Sequence, residues 1–159
     1  MAYSGKVWVS AEVAEKIRAH GVEKYPHECC GALFGREAGG EGKEARPREI
    51  VGLFPLVNRR EDSPQSRFSV SSQDVLEADR TAAARGLDLI GWYHSHPDHP
   101  ARPSEYDREH AWPWYSYIIV SVQSGVPGEM RSWRLQDDRE RYDEETIELR
   151  AGARARFSV

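Results

Sequence analysis

The stretch Gly91–Asp107, GWYHSHPDHPARPSEYD, limits what this chain can become more than any other part of it. An apolar run from Leu87 ends in two histidines one residue apart. A proline-rich loop comes next, and then a serine and an aspartate three apart. The run has no polar alternation before the histidines, so Leu87 to His96 reads as a central strand covered on both faces. Alternate residues of a strand face one way, which turns the imidazoles of His94 and His96 to the same side. Ser104 reads as a helix N-cap, with Asp107 at the third helical position. A hydroxyl and a carboxylate at a helix N-terminus thus face back toward two imidazoles. Two imidazoles and one carboxylate leave a fourth position open on a tetrahedral ion, which suits a catalytic zinc better than a closed structural one. The expectation is a metal-dependent hydrolase.

Each of these residues has a plainer role when taken alone. Asp107 would be a first-turn acid favoured by the helix dipole, Ser104 a cap contributing about 1 kcal/mol, and each histidine a surface or hydrogen-bonded residue. Their coincidence at this spacing, with each residue type at a few per cent of ordinary usage, has odds on the order of one in ten thousand.

The rest of the chain supplies elements around this unit. Lys6 to Val9 alternates as a first strand, and Ser10 caps a helix to about His20, with Gly21 as its stop. Cys29 to Gly35 reads as a second two-faced strand. Glu37 to Arg48 reads as an exposed hairpin loop. Ile50 to Val57 is a strand in which Pro55 implies an edge or bulge. A surface loop over Asn58 to Gln65 and a short extended piece over Arg67 to Val70 come after it. Ser71 or Ser72 caps a helix through Ala84, ended by Gly86. The helix begun at Ser104 ends by Trp112-Pro113. Tyr115 to Val122, Met130 to Leu135 and Thr146 to Leu149 read as strands, and the tail from Arg150, with Arg154 and Arg156, reads as frayed and solvated. The 112–115 run of Trp, Pro, Trp and Tyr is expected to pack rather than to bind.

These elements suit one domain over residues 1–159, with its core at about 6–150 and a tail at 151–159. The class is α/β or α+β, with helices on a single sheet. A length of 159 residues and a charged content of 30% fit a soluble globular chain. A net charge of −4 argues against general nucleic-acid binding. No apolar run nears the roughly 20 residues of a membrane helix, and the N-terminus has no secretory pattern. The two adjacent cysteines, Cys29 and Cys30, suit neither a disulfide framework nor a four-cysteine zinc site, and Cys30 reads as a small buried hydrophobe. A cytoplasmic protein is expected.

The run His94-Ser95-His96-Pro97, six residues, then Ser104-x-x-Asp107 resembles the JAMM motif of the MPN+ metalloproteases. That family carries a glutamate just before an upstream apolar strand, and Glu28, in Pro26-His27-Glu28-Cys29-Cys30-Gly31-Ala32-Leu33-Phe34-Gly35, stands in the matching place. The resemblance extends from the first helix to about Val122. It implies a cytidine-deaminase-like mixed sheet flanked by about three helices, one zinc per chain, and hydrolysis of peptide or isopeptide bonds. Zinc on His94, His96 and Asp107 would bring the pKa of a bound water to roughly 7. Glu28 would serve as general base and proton shuttle, and Ser104 as donor to the developing oxyanion. Compact prokaryotic-type members of the family act on ubiquitin-like sulfur-carrier proteins, releasing a residue or an extension from the carrier's C-terminal glycine. A carrier of that kind is therefore the expected partner; a dimeric or other oligomeric state stays open. An extended glycine tail could pair as an added strand.

Two other readings compete. The family contains scaffold MPN domains that have lost the metal, but such domains lack some of the five residues that are present here. His94-Ser95-His96-Pro97-Asp98-His99 also fits the H-x-H-x-D-H signature of metallo-β-lactamase-type hydrolases, which would recruit Asp98 and His99 to a two-metal site. That site needs further His and Asp ligands well downstream, and after His99 only His110 remains.

Overall fold

The computed structural model describes residues 5–58 and 70–151. Among the described residues, seven strands and three α-helices occur in chain order: β1 (Lys6–Ser10), α1 (Ala11–Lys24), β2 (Cys30–Arg36), β3 (Arg48–Leu56), α2 (Ser72–Ala84), β4 (Asp88–Pro97), α3 (Glu105–His110), β5 (Ser116–Gln123), β6 (Val126–Leu135) and β7 (Tyr142–Arg150). The fold is mixed α+β. The strands lie in the order β1-β3-β2-β4-β5-β6-β7, and a parallel pairing of β7 with β1 closes the sheet into a barrel. Closure was not expected from the sequence, and it gives each strand a partner on both sides along at least part of its length.

Helix α1 touches β1, β3, β4, β5, β6 and β7, so the sheet wraps around it. Its Val13, Ala14 and Ile17 are buried with Val7, Val9, Leu33, Ile90, Ile118 and Val120. This explains why Gly21 does not end the helix, as the sequence suggested. A side chain there would meet Val122 Cγ2 at 3.0 Å and Ser95 Cβ at 3.6 Å, so Gly21 lets the helix approach β4 and β5, and α1 continues to Lys24. Ser10 occupies the N-cap position of α1 without a side-chain capping bond, because it is also the buried last residue of β1. Helix α2 packs on the other face, against β2 and β4. It begins at a capping box of Ser71 and Asp74, as one of the two expected caps, and ends before Gly86 at φ 70°.

Three further expectations need correction or refinement. Arg48 is not part of an exposed loop: it opens β3 with its side chain fully buried, donating to Glu37, to the Ile90 carbonyl and to Ser116 Oγ. Pro55 does sit at an edge, since β1 pairs with β3 only from Arg48 to Ile50 and leaves the far end of β3 open on that side. Arg150 belongs to β7 rather than to a frayed tail, and its guanidinium lies 3.4 Å from the Trp8 ring centroid. The short strand expected over Arg67 to Val70 and most of the loop over Asn58 to Gln65 lie outside the described residues, as does the chain after Ala151.

The connection that matters most joins β4 to β5. These strands are parallel neighbours, paired from Gly91↔Ser116 to Pro97↔Val122, so the chain must cross over between them, and α3 sits in that crossover. This lays the N-terminus of α3 over the C-terminal end of β4.

Candidate metal centre

His94 and His96 project from one face of β4, as period-two geometry requires, and both are buried. Ser104 caps α3 in a reciprocal box: its hydroxyl accepts from the Asp107 N–H at 3.1 Å, and Asp107 Oδ2 accepts from the Ser104 N–H at 2.8 Å. The same Oδ2 lies 3.2 Å from His96 Nε2 and 3.4 Å from His94 Nε2, and the two Nε2 atoms are 3.1 Å apart. Three potential ligand atoms therefore form a nearly equilateral triangle. A tetrahedral ion with bonds of about 2.0–2.1 Å separates its ligands by about 3.3 Å, so the triangle has the dimensions such an ion needs. Among the described residues this is the one group of His, Cys, Asp and Glu with ligand atoms in such proximity.

The protonation pattern fits as well. Nδ1 of His96 is 2.8 Å from the Pro100 carbonyl, which can only accept, so Nδ1 carries a hydrogen and Nε2 is the ring nitrogen left to bind an ion. Burial lowers the pKa of His94 and favours the neutral imidazole. Burial would raise the Asp107 carboxyl, but the adjoining His94 and then His96 hold it well below the usual carboxylate range. An ionised carboxylate beside two imidazole nitrogens is the donor set that a divalent zinc binds.

The loop that carries Pro100 is held on three sides. Ser121 Oγ donates to the His99 carbonyl at 2.6 Å, Trp133 Nε1 donates to the Ala101 carbonyl at 3.0 Å, and Asp98 accepts from the Tyr25 hydroxyl and the Ser124 N–H. These bonds also answer the lactamase-type reading. Asp98 is committed to Tyr25 and Ser124, and neither it nor His99 joins the triangle.

Glu28 comes from the segment just before β2, the strand next to β4. Strands β2 and β4 are antiparallel with Cys30 opposite His94, and the pairing continues past β2, where the Ser95 N–H donates to the Cys29 carbonyl at 3.1 Å. The Ser95 side chain points away from the histidines and accepts the Cys29 N–H at 2.8 Å. This anchor brings the chain just before β2 alongside the end of β4. Glu28 is 4% exposed, and its Oε1 has no hydrogen-bond partner among the described residues. Burial, reinforced by the charge of Asp107, pushes its pKa up to about 9. A buried carboxyl with one oxygen unsatisfied and a strongly shifted pKa is the mark of a group set up for proton exchange.

One opening reaches two of the ligand residues and a second reaches Glu28. An aromatic cavity of about 170 Å³ is lined by His94 and Asp107 together with Trp92, Tyr106, Trp112, Tyr117 and Tyr142. A second, open groove is lined by Glu28 with Lys16, His20, Glu23, His27 and Asn58. The sequence reading missed the Pro100 carbonyl, the Ser95 anchor and the aromatic cavity. Only the placement of a serine between the two histidines, facing the opposite way, was a local signal for any of them. Cys29 and Cys30 are free and buried, Cys30 as expected.

Residues 10–136 match the Prok-JAB family, described as prokaryotic homologues of the JAB domain. The chain is 28% identical to a desampylase of Haloferax volcanii over 74% of its own length and 82% of the relative. It is 32% identical to a probable TtuB-protein conjugate cleaving protease of Thermus thermophilus, over 76% and 74%, and 31% identical to a CysO-cysteine peptidase of Mycobacterium tuberculosis, over 81% and 82%. Protein DSY2949 of Desulfitobacterium hafniense superposes with a TM-score of 0.75 at 31% identity, covering 91% of this chain and 93% of that one. The JAB1/MPN domain protein AF2198 of Archaeoglobus fulgidus shares the fold with a TM-score of 0.56 at 17% identity, over 91% and 98%. With the strand–loop–helix unit of the JAMM pattern folded as its spacing demands, the chain belongs to the Prok-JAB family.

Proposed function

We propose that this chain is a zinc-dependent peptidase or isopeptidase that cuts the bond after the C-terminal glycine of a ubiquitin-like sulfur-carrier protein. His94, His96 and Asp107 hold one zinc, Glu28 is the general base and Ser104 is the oxyanion donor. The observation that carries this reading is the triangle of His94, His96 and Asp107 ligand atoms, with edges of 3.1–3.4 Å, beside a buried glutamate with an unsatisfied oxygen. The relatives named for desampylation and for TtuB- and CysO-linked substrates support the choice of substrate class.

Bound zinc supplies Lewis acidity and a water acidified to a pKa of roughly 7. Every other part of the chemistry belongs to the chain's own side chains. Glu28 takes a proton from the attacking water and returns it to the leaving nitrogen, which needs a carboxyl whose pKa lies near working pH, and a bound divalent cation would draw the Glu28 carboxyl down toward that range from its raised value in the metal-free chain. The Ser104 oxygen is occupied as an acceptor by the Asp107 N–H, which leaves its own O–H to donate to the scissile carbonyl oxygen as negative charge develops there. His96, its tautomer set by the Pro100 carbonyl, keeps Nε2 directed at the centre.

The mixed sheet with helices against both of its faces supports the relation to the cytidine-deaminase architecture. The free thiols of Cys29 and Cys30 support a reducing, cytoplasmic setting. Incubating zinc-loaded protein with ubiquitin-like carriers extended beyond their terminal glycine, then measuring product masses, tests the function. Products ending at that glycine, absent with Glu28→Gln, are expected. If the loaded protein leaves every such substrate intact, the reading fails.

A further inference from the structure

Two tryptophans stand half out of the surface beside the aromatic cavity. They belong to the connection between α3 and β5, and Trp112 and Trp114 are each 47% exposed. The expectation that this cluster simply packs is therefore only half met. Trp112 lines the cavity that reaches His94 and Asp107. The Tyr115 ring lies 6.4 Å from Trp112 and 5.2 Å from Trp114, so the rings form one continuous aromatic surface.

Trp114 has φ of 87°, a region in which a bulky L residue is strained. Arg48 holds it there, with its guanidinium carbon 4.4 Å from the Trp114 ring centroid. Arg48 is in turn fixed by Glu37, Ser116 and the Ile90 carbonyl. A fully buried arginine thus keeps an indole in a strained, half-solvated pose. Burial of the indole would remove more apolar surface from water, so core packing does not account for this arrangement. Exposed aromatics of this kind are typical anchors of protein interfaces.

The polarity of the centre says which half of a substrate meets them. Glu28 returns its proton to the leaving nitrogen, so the leaving group lies in the groove that Glu28 lines with His20 and Glu23. The other opening, lined by Asp107 and Trp112, shares no lining residue with that groove. The acyl half therefore runs through the aromatic cavity and leaves it past Trp112.

We propose that Trp112 and Trp114 form the docking platform for the folded body of the acyl half, a ubiquitin-like protein with an apolar surface next to its C-terminal tail. The occupant is set by the continuity of the platform with the cavity that holds the tail. The inference rests on the function proposed above. It predicts that recognition is divided, with the cavity reading the tail and the two indoles reading the body.

The test uses the full zinc-loaded chain and the glycine-ending ubiquitin-like proteins of its source genome, each extended at the C-terminus, together with peptides copying only their last residues and extension. Binding is measured calorimetrically on the Glu28→Gln background, and cleavage on the wild-type background. Trp114→Ala and the pair Trp112→Ala, Trp114→Ala are expected to weaken binding of the carrier at least tenfold, with the effect in KM rather than kcat. The carrier-to-peptide ratio of kcat/KM should fall by the same factor, and Trp114→Phe should restore most of it. Unfolding temperatures of the variants separate lost docking from lost fold. Equal losses on carrier and peptide, or no loss on either, overturn the platform. So does a wild-type dimer that the double variant splits, which would make the indoles a contact between copies. A carrier that binds through the indoles without being cut sinks the proposed function but keeps the platform, whereas a carrier that does not bind sinks the platform.

Discussion

Oδ2 of Asp107 lies 3.4 Å from Nε2 of His94, although the two residues belong to a helix and a strand separated by a proline-rich loop. The contact exists because β5 pairs parallel to β4, so the chain must return over the end of β4 before it can begin β5. The same backbone turn that caps α3 delivers the carboxylate.

Replacing His94, His96 or Asp107 with Ala should remove zinc together with activity. Each side chain supplies one corner of the triangle, and two remaining protein ligands are too few for tight zinc binding. Metal analysis of purified protein should find about one zinc per wild-type chain and far less in each variant. A variant that keeps full zinc occupancy would exclude that residue as a ligand.

Glu28→Gln should keep the metal and lose turnover by about 10²–10⁴-fold, the usual contribution of a positioned general base. The amide has nearly the same volume but cannot take the proton. Single-turnover kinetics on zinc-loaded protein check this, and retained turnover would remove Glu28 from the mechanism.

The pH dependence of stability in the metal-free protein should carry the signature of Glu28. Its folded-state pKa is raised to about 9, so between roughly pH 4.5 and 9 the folded chain holds a proton that the unfolded chain has released. Stability contributed by that carboxyl is fully present below pH 4.5 and is lost as pH rises through this window. Denaturant unfolding in chelator should show wild type weakening from pH 5 to 8, by on the order of a few kcal/mol. Glu28→Gln should flatten that slope. Parallel pH profiles for the two proteins would show that Glu28 ionises normally in the fold.

Ser104→Ala should separate two roles of one hydroxyl. Loss of the cap on α3 should lower stability by about 1 kcal/mol, read from denaturant unfolding. Loss of the oxyanion donor should lower kcat by about 10²–10³-fold with zinc retained. A stability loss with kcat unchanged would reduce Ser104 to a cap.

The parts of the centre that were legible in the sequence are those set by local rules. His94 and His96 share a face because a strand repeats every two residues, and Ser104 with Asp107 makes a capping box because a helix must satisfy its first N–H groups. The caps of α2 and the edge position of Pro55 are visible for the same reason. Glu28 carried no such local signal. Nothing near it in the sequence marks it as more than a loop carboxylate, and only the resemblance to a known family drew attention to it. Gly21 misled because a glycine after a helical pattern usually ends a helix, whereas here it marks a close approach to Val122. Arg48 misled because a charged residue at the end of a polar stretch is ordinarily solvated, and its buried partners, the Ile90 carbonyl and Ser116 Oγ, come from two distant strands.

By itself the sequence determined the donor set, its spacing, and the strand–loop–helix unit that carries it, since each is dictated by the geometry of a few consecutive residues. Only the tertiary structure decided that the sheet closes around α1, that the β2–β4 register brings Glu28 to the end of β4, and that an aromatic cavity with two half-exposed indoles opens beside Asp107. Those features depend on which strands pair and in what register. That choice is made by burial over the whole core, and no short window of sequence contains it.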